Sequence, residues 1–280
     1  MIPSPEQQHI YDTVPQATGN YIIVASAGSG KTTVIRHLVR SIPATTSILV
    51  LAFNKSAEEQ LTTTLPPTAD CMTFHKHGLN AMRSLGGRIK IDGNKVSWLL
   101  KDHLADDKKY YRSRHNCKVV DLAKNAGVGL FVPNSPEHYH EIIAHHELTE
   151  DYDIQLCMKL LELSNADTKR VDFSDMLYLP LLLKLRFPRY RLVFVDEAQD
   201  TNALQRAILL QTADRLVAVG DPSQAIYGFR GADHNAMAEL QRAFSAQILP
   251  LSVSFRCSQR VVELAQRYDS GISLNASEAA

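Results

Sequence analysis

The chain has 280 residues, 45% of them hydrophobic, which is enough for a buried core and for two domains or one domain with a large insertion. Its 30 basic and 30 acidic side chains cancel, so any grip on nucleic acid must come from local patches and not from a whole-chain field. Cys71, Cys117, Cys157 and Cys257 stand far apart without a CxxC pair, which argues against a disulfide framework or a zinc ribbon; with no N-terminal signal and no apolar run long enough for a bilayer, the expected location is cytoplasmic.

Near the start, "NYIIVASAGSGKTTVIRHLVRSI" predicts a strand from Tyr21 to Val24, a turn of small residues, and a helix with Val34, Ile35, Leu38 and Val39 on one side. "SILVLAF" at 47–53 predicts a fully buried strand, and the helical "NKSAEEQLTTTL" after it stops at Pro66 and Pro67. Two βα units in succession imply a parallel sheet. Residues 88–165 differ in character: they are polar, hold six of the eleven histidines, and carry the basic cluster "KKYYRSRHNCK" at 108–118. Within them "VSWLLKDHL" and "EIIAHHELTEDYDIQLCMKLLEL" have helical spacing, so this stretch is expected to be a mostly helical insertion in the α/β domain. "YRLVFVDEAQD" at 190–200 and "RLVAVGDPSQ" at 215–224 predict two more buried strands, with the helical "TNALQRAILLQTA" between them.

The stretch "ASAGSGKT", from Ala25 through Ser26, Ala27, Gly28, Ser29, Gly30 and Lys31 to Thr32, with Thr33 next, has the form of a phosphate-binding loop. Its glycines let backbone N–H groups turn inward around β- and γ-phosphates, Lys31 supplies a point charge, and the Thr32 hydroxyl can bind Mg²⁺. Ala25 stands where the usual pattern has its first glycine. Asp196, at the tip of an apolar strand, is placed to hold Mg²⁺ through water, and Glu197 beside it to polarise an attacking water; two adjacent acids there also fit a solvated turn or a helix cap. "LAFNKSA" and "CMTFHKHGL" each set an aromatic beside polar or basic groups near a strand's C-terminal end. Phe53, Asn54, Lys55, Thr73, Phe74 and His75 are therefore candidates to grip a sugar-phosphate backbone and stack on bases, with burial of Phe53 and Phe74 in the core as the alternative. In "VGDPSQAIYGFRGA" at 219–232 the glycines are expected to turn the chain sharply off a strand end, and the stretch offers Tyr227, Phe229 and Arg230 as further candidates to face a nucleic acid.

Taken together, "PEQQ" near Gln7, "ASAGSGKT", "LAFNKSA", "MTFHKHG", "VDFSDML" at 171–177, "VDEAQD", "VGDPSQAIYGFRGA" and "LSVSFRCS" at 251–258 resemble, in order and spacing, the N-terminal half of UvrD/Rep-type superfamily 1 DNA helicases. The resemblance covers about residues 3–260 apart from the insertion. It implies a RecA-like P-loop NTPase core, ATP and Mg²⁺ as cofactors, single-stranded DNA and single-strand/duplex junctions as partners, and 3′ to 5′ polarity. By the same resemblance Gln7 would read the adenine edge, Phe255 would stack on adenine, and Lys31, Gln224 and Arg256 would contact phosphate. Glu197 would be the catalytic base, and Phe229, in place of the family's tryptophan, would stack on a DNA base. Domain boundaries follow: 1–87 and 166–250 form the first motor domain, 88–165 its helical subdomain, and 251–280 the beginning of a truncated second motor domain. The alternative is a nucleotide- and ssDNA-binding module without unwinding of its own.

Overall fold

The computed structural model describes residues 2–104, 106–224, 235–268 and 275–276. The first third alternates helix and strand: α1 (Pro5–Thr13), β1 (Tyr21–Ala25), α2 (Lys31–Ser41), β2 (Ile48–Ala52), α3 (Lys55–Thr62), β3 (Ala69–Thr73) and α4 (Phe74–Met82). The two-residue strand β4 (Lys90–Ile91) then leads into helices α5 (Lys95–Leu104), α6 (Asp107–Ser113), α7 (Asn116–Ala126), α8 (Pro136–His145) and α9 (Ile154–Ala166). The equally short β5 (Arg170–Val171) pairs in parallel with β4 and closes this helical segment at its base. After it come α10 (Asp175–Leu182), β6 (Leu192–Val195), α11 (Ala203–Thr212), β7 (Leu216–Gly220), α12 (Ala236–Phe244), β8 (Gln247–Leu251), β9 (Val253–Ser254), α13 (Gln259–Tyr268) and β10 (Asn275–Ala276).

Six strands form one parallel sheet in the order β3-β2-β6-β7-β1-β8. Successive side chains of a strand point to opposite faces, and here both faces are covered. Ile22, Leu49, Leu51, Val193 and Val195 pack with the helices on one side. Their neighbours Ile23, Val50, Phe194 and Val219 pack with α1 and α2 on the other, where the predicted stripe of Val34, Ile35, Leu38 and Val39 is fully buried. This two-sided burial is why the strands read as unbroken apolar runs. The sheet and its flanking helices form the expected RecA-like P-loop NTPase architecture. Among the described residues, no helix is long and apolar enough to cross a membrane.

The long helical pattern expected across 141–163 is two helices, α8 and α9. His146 ends the first, Glu147 adopts a left-handed backbone at φ +49°, and the Asp153 carboxylate caps the second by accepting from Leu156 N. Three acids in "TEDYD", the last of them the capping Asp153, favour a break that apolar periodicity alone does not register.

The helical segment is not packed as a separate body. Leu100, Val120, Tyr139 and Leu161 belong to the same apolar cluster as the sheet-facing Leu51 and Val195. A buried ionic knot crosses the same boundary. Lys95 of α5 and Lys124 of α7, both side chains wholly buried, converge on Asp175 at 2.6 and 2.7 Å, and Lys124 also reaches Asp172 at 2.6 Å. Lys95 additionally donates to the carbonyls of Ser164 and Asp167, so its ammonium is fully engaged. Removing one partner of such a pair strands a buried charge. Asp175→Ala is expected to cost about 3–5 kcal/mol of folding free energy by chemical denaturation, whereas Lys55→Ala, which breaks only the exposed pair with Glu59, is expected to change it by about 1 kcal/mol or less.

Candidate active site

Because the sheet is parallel, the C-terminal ends of its strands open on one edge, the edge on which open α/β sheets bind ligands. β1 delivers the phosphate-loop residues there. Ala25, where the usual pattern has glycine, is still part of β1, buried and paired with Leu251, an extended position that accommodates its methyl group. The loop closes through Ser29 N to Ser26 O (3.1 Å) and Ser26 N to Leu251 O (3.0 Å). Gly28 and Gly30 sit at φ +74° and +87°, and a Cβ on Gly28 would stand 2.5 Å from the Cβ of Arg256, so no other residue fits there without displacing the chain. Gly30 begins α2, leaving the N–H groups of its first turn at the positive end of the helix dipole, the arrangement that binds phosphate.

β6 brings the acids opposite this loop. Lys31 Nζ lies 2.5 Å from Glu197 Oε2, and Glu197 is held at φ +51°, a left-handed conformation costing a non-glycine residue about 1–3 kcal/mol. Asp196 accepts from Glu197 N at 3.1 Å. Burial, and then the charge of Glu197, push the Asp196 carboxyl up to about 6 against the pull of Lys31; the same causes raise Asp200 to about 6. The site thus gathers three acids against one ammonium.

β7 adds the third component. Asp221, just past its end, accepts at Oδ2 from Gln224 Nε2 (2.5 Å), and its own N–H donates to Gln199 Oε1 (3.0 Å). Gln224 and Ser223 share a cavity of about 580 Å³ with Ser26 and Ala27 of the phosphate loop. The sequence-based account of the glycines is corrected here for Gly220. Its backbone is not left-handed, and the requirement comes from close approach, since a Cβ would meet Gln199 Oε1 at 2.5 Å. Tyr227, Phe229 and Arg230 lie outside the described residues.

A second cavity, of about 390 Å³, opens beside the phosphate loop and is lined by Gln7, Tyr11, Gly30, Thr33, His37 and Phe255. Tyr11 and His37 stack at 3.7 Å between ring centroids. Gln7 is nearly fully buried; its Oε1 accepts from Ser4 N and its Nε2 donates to Ser29 O, so it also props the loop from behind. Phe255 N donates to Gly28 O, which sets the exposed Arg256 next to the same glycine.

The residues expected to face nucleic acid divide. Phe53 and His75 line a cavity of about 360 Å³ with Asn54, Lys118, Asn125 and Asp200, so α7 of the helical segment supplies one wall. Burial lowers the His75 pKa, favouring a neutral ring, and that ring meets Phe173 edge-on at 6.4 Å. Phe74 is corrected: it is 2% exposed and belongs to the core, so it is not available for stacking. Asn54 and Thr73 spend their side-chain oxygens as helix caps, accepting from Ala57 N and Lys76 N. Lys55 projects into solvent beside Glu59. Sequence reasoning passed over Gln199, Asp200 and Asp221, whose roles depend on neighbours from other strands. It also passed over Phe173, which is 62% exposed; an aromatic between two aspartates in "VDFSD" is the signal that could have singled it out.

A family model described as the UvrD/REP helicase N-terminal domain matches residues 4–245. The chain belongs to the UvrD/REP helicase family. It is 27% identical to the ATP-dependent DNA helicase PcrA of Bacillus subtilis over 94% of this chain and 38% of that protein. It is equally identical to the ATP-dependent DNA helicase Rep of Salmonella typhimurium over 94% of this chain and 42% of Rep. DNA helicase II of Haemophilus influenzae is 26% identical over 91% and 39%. The chain therefore spans about two-fifths of the length of these curated relatives. For a member of this family the geometry at Gly28 makes a sharp demand. Gly28→Ala should push residues 254–256 off the phosphate loop and weaken binding of a fluorescent ATP analogue by about tenfold or more, a loss of about 1.4 kcal/mol, read by titration.

Proposed function

We propose that this chain is the nucleotide-binding motor portion of an ATP-dependent DNA helicase, hydrolysing ATP at the sheet edge and coupling hydrolysis to movement along single-stranded DNA. The observation that carries the proposal is the meeting of Lys31 and Glu197, which joins a phosphate loop and an acid pair from separate strands, on the same edge as the Phe53–His75 cavity. Four strand spacings separate β1 from β3 in the sheet order, or roughly 19 Å at about 4.8 Å per strand. The phosphate loop and the Phe53–His75 cavity are thus near neighbours on one sheet, which supports this reading. The 3′ to 5′ polarity, the preference for single-strand/duplex junctions and the need for a second motor domain rest on family resemblance.

In the proposed reaction the α2 N-terminus and Lys31 hold the phosphates, and Glu197 orients the attacking water and accepts its proton. Gln224 and Arg256 approach from β7 and from the strand after β8 to contact the terminal phosphate. The Thr32 hydroxyl and the Asp196 carboxylate are hard oxygen donors of the type Mg²⁺ takes, and the excess of acids over ammonium groups suits a divalent ion. When bound, that ion would neutralise charge on the β- and γ-phosphates. Gln7 and Phe255 would border the adenine.

The purified chain is expected to hydrolyse ATP faster with single-stranded DNA. Glu197→Gln should lower turnover by about 10²- to 10⁴-fold while leaving binding of a fluorescent ATP analogue intact. Binding of nucleotide and DNA without turnover would favour the module without motor activity, and indifference to DNA would sink the helicase reading. For the DNA face, Phe53→Ala and Phe173→Ala should each weaken oligonucleotide binding by about 1–3 kcal/mol in anisotropy titrations. Phe74→Ala should instead cost about 3–5 kcal/mol of folding stability.

A further inference from the structure

Gln199 lies at the junction of everything the site contains. It is 3% exposed, and its amide has one acceptor and two donors, all of them engaged. Oε1 accepts from Asp221 N at 3.0 Å, which dictates the orientation of the amide and turns its NH₂ toward the acids. Nε2 donates to Glu197 Oε2 at 2.9 Å and, at a long 3.4 Å, to Asp200 Oδ2. The seat for this side chain is built into the sheet. A Cβ on Gly220 would collide with Gln199 Oε1 at 2.5 Å and would crowd its backbone N at 3.0 Å.

The weak end of this network points toward nucleic acid. Asp200 is 6% exposed and lines the cavity that holds Phe53 and His75. Among the described residues its Oδ1 is buried without a hydrogen-bond donor. A buried acceptor left unmade is costly, so a donor entering the cavity, such as a base N–H, would be drawn to it. That contact would pull on the same carboxylate that competes for Gln199 Nε2. On the other side, Asp221 passes the connection to Gln224.

We infer that Gln199 is the positioning residue that couples the two ligand sites. It holds the Glu197 carboxylate on the ATP side and shares its amide with Asp200, which lines the cavity proposed for a nucleobase and keeps one buried oxygen without a donor among the described residues. Occupation of that cavity changes how firmly Glu197 is held, and nucleotide contact with Glu197 changes what Asp200 offers a base. The inference rests on the reading of Glu197 as an ATP-site group and of the Phe53–His75 cavity as DNA-facing.

The test is a binding measurement on the 280-residue chain, with a fluorescent non-hydrolysable ATP analogue and a mixed-sequence single-stranded oligonucleotide. The analogue's Kd is measured with and without saturating oligonucleotide. For the unaltered chain the ratio of the two is expected to fall in the range of about 5- to 150-fold typical of coupled sites, while in Gln199→Leu it drops to within about twofold of unity. Each ligand alone should still bind the variant within about threefold of the unaltered chain. Gln199→Glu keeps an acceptor for Asp221 N but has no donor for Glu197, and should also lose the coupling. The near-isosteric Asp200→Asn reports on the same link if the Gln199 variants do not fold, and should reduce the ratio as well. An unaltered chain whose ratio is unity overturns the inference. So do a Gln199→Leu or Asp200→Asn ratio equal to that of the unaltered chain, and losses of single-ligand affinity that merely track lost stability. Persistence of turnover in Glu197→Gln strikes instead at the reading beneath it.

Discussion

A parallel sheet buried on both faces can offer chemistry only at the ends of its strands. Here the alternation that sends Ile22 to one cluster and Ile23 to the other leaves no strand face for a ligand. What remains is the C-terminal edge, where Gly28, Asp196, Glu197 and Asp221 arrive from β1, β6 and β7, and where Phe53 and His75 follow β2 and β3. The order β3-β2-β6-β7-β1-β8 does the sorting. The phosphate-loop residues and Asp221 collect on the β1–β7 side and the Phe53–His75 cavity on the β2 side, with the β6 acids between.

Electrostatics at this edge is left unbalanced within the protein, with three carboxyl groups gathered against the Lys31 ammonium. Asp196 and Asp200 are pushed up by burial and by Glu197, and Lys31 offsets only part of that repulsion. The contrast with the knot under α10 is instructive. There Lys95 and Lys124 meet Asp172 and Asp175, two charges of each sign, with the remaining Lys95 hydrogens on carbonyls, and the group serves to fasten the helical segment. The edge site is left open in charge and strained in backbone, with Glu197 at φ +51°, which is the condition of groups poised to interact.

Much of this was legible in residue pattern. The apolar runs marked the buried strands because period-2 burial on both faces erases alternation. The spacing of Val34, Ile35, Leu38 and Val39 marked the face of α2, and "GSGKT" between strand and helix marked the phosphate loop. Misreadings arose where a local pattern has two uses. Phe74 and Phe53 each follow a strand, yet one opens a helix that packs into the core and the other turns toward a cavity. Gly220 looked like one of the glycines that turn the chain off the strand end, and its missing side chain instead makes room for Gln199. Asn54 and Thr73, candidates for a nucleic-acid contact, also cap the helices that follow, a second use that the strand-end pattern does not reveal.

By itself the sequence determined the local grammar: which runs are strands, where the chain must turn with positive φ, and which polar residues stand at strand ends. These follow from short-range sterics, periodic burial and capping, all of which are written within a few neighbouring residues. Only the tertiary structure decided partnership, namely that Glu197 faces Lys31 across 166 positions and that Gln199 binds Asp221 across 22. Strand order is not encoded in any one segment. It emerges when the apolar faces of all of them are buried at once, and it is that order which brings distant side chains within reach of a hydrogen bond.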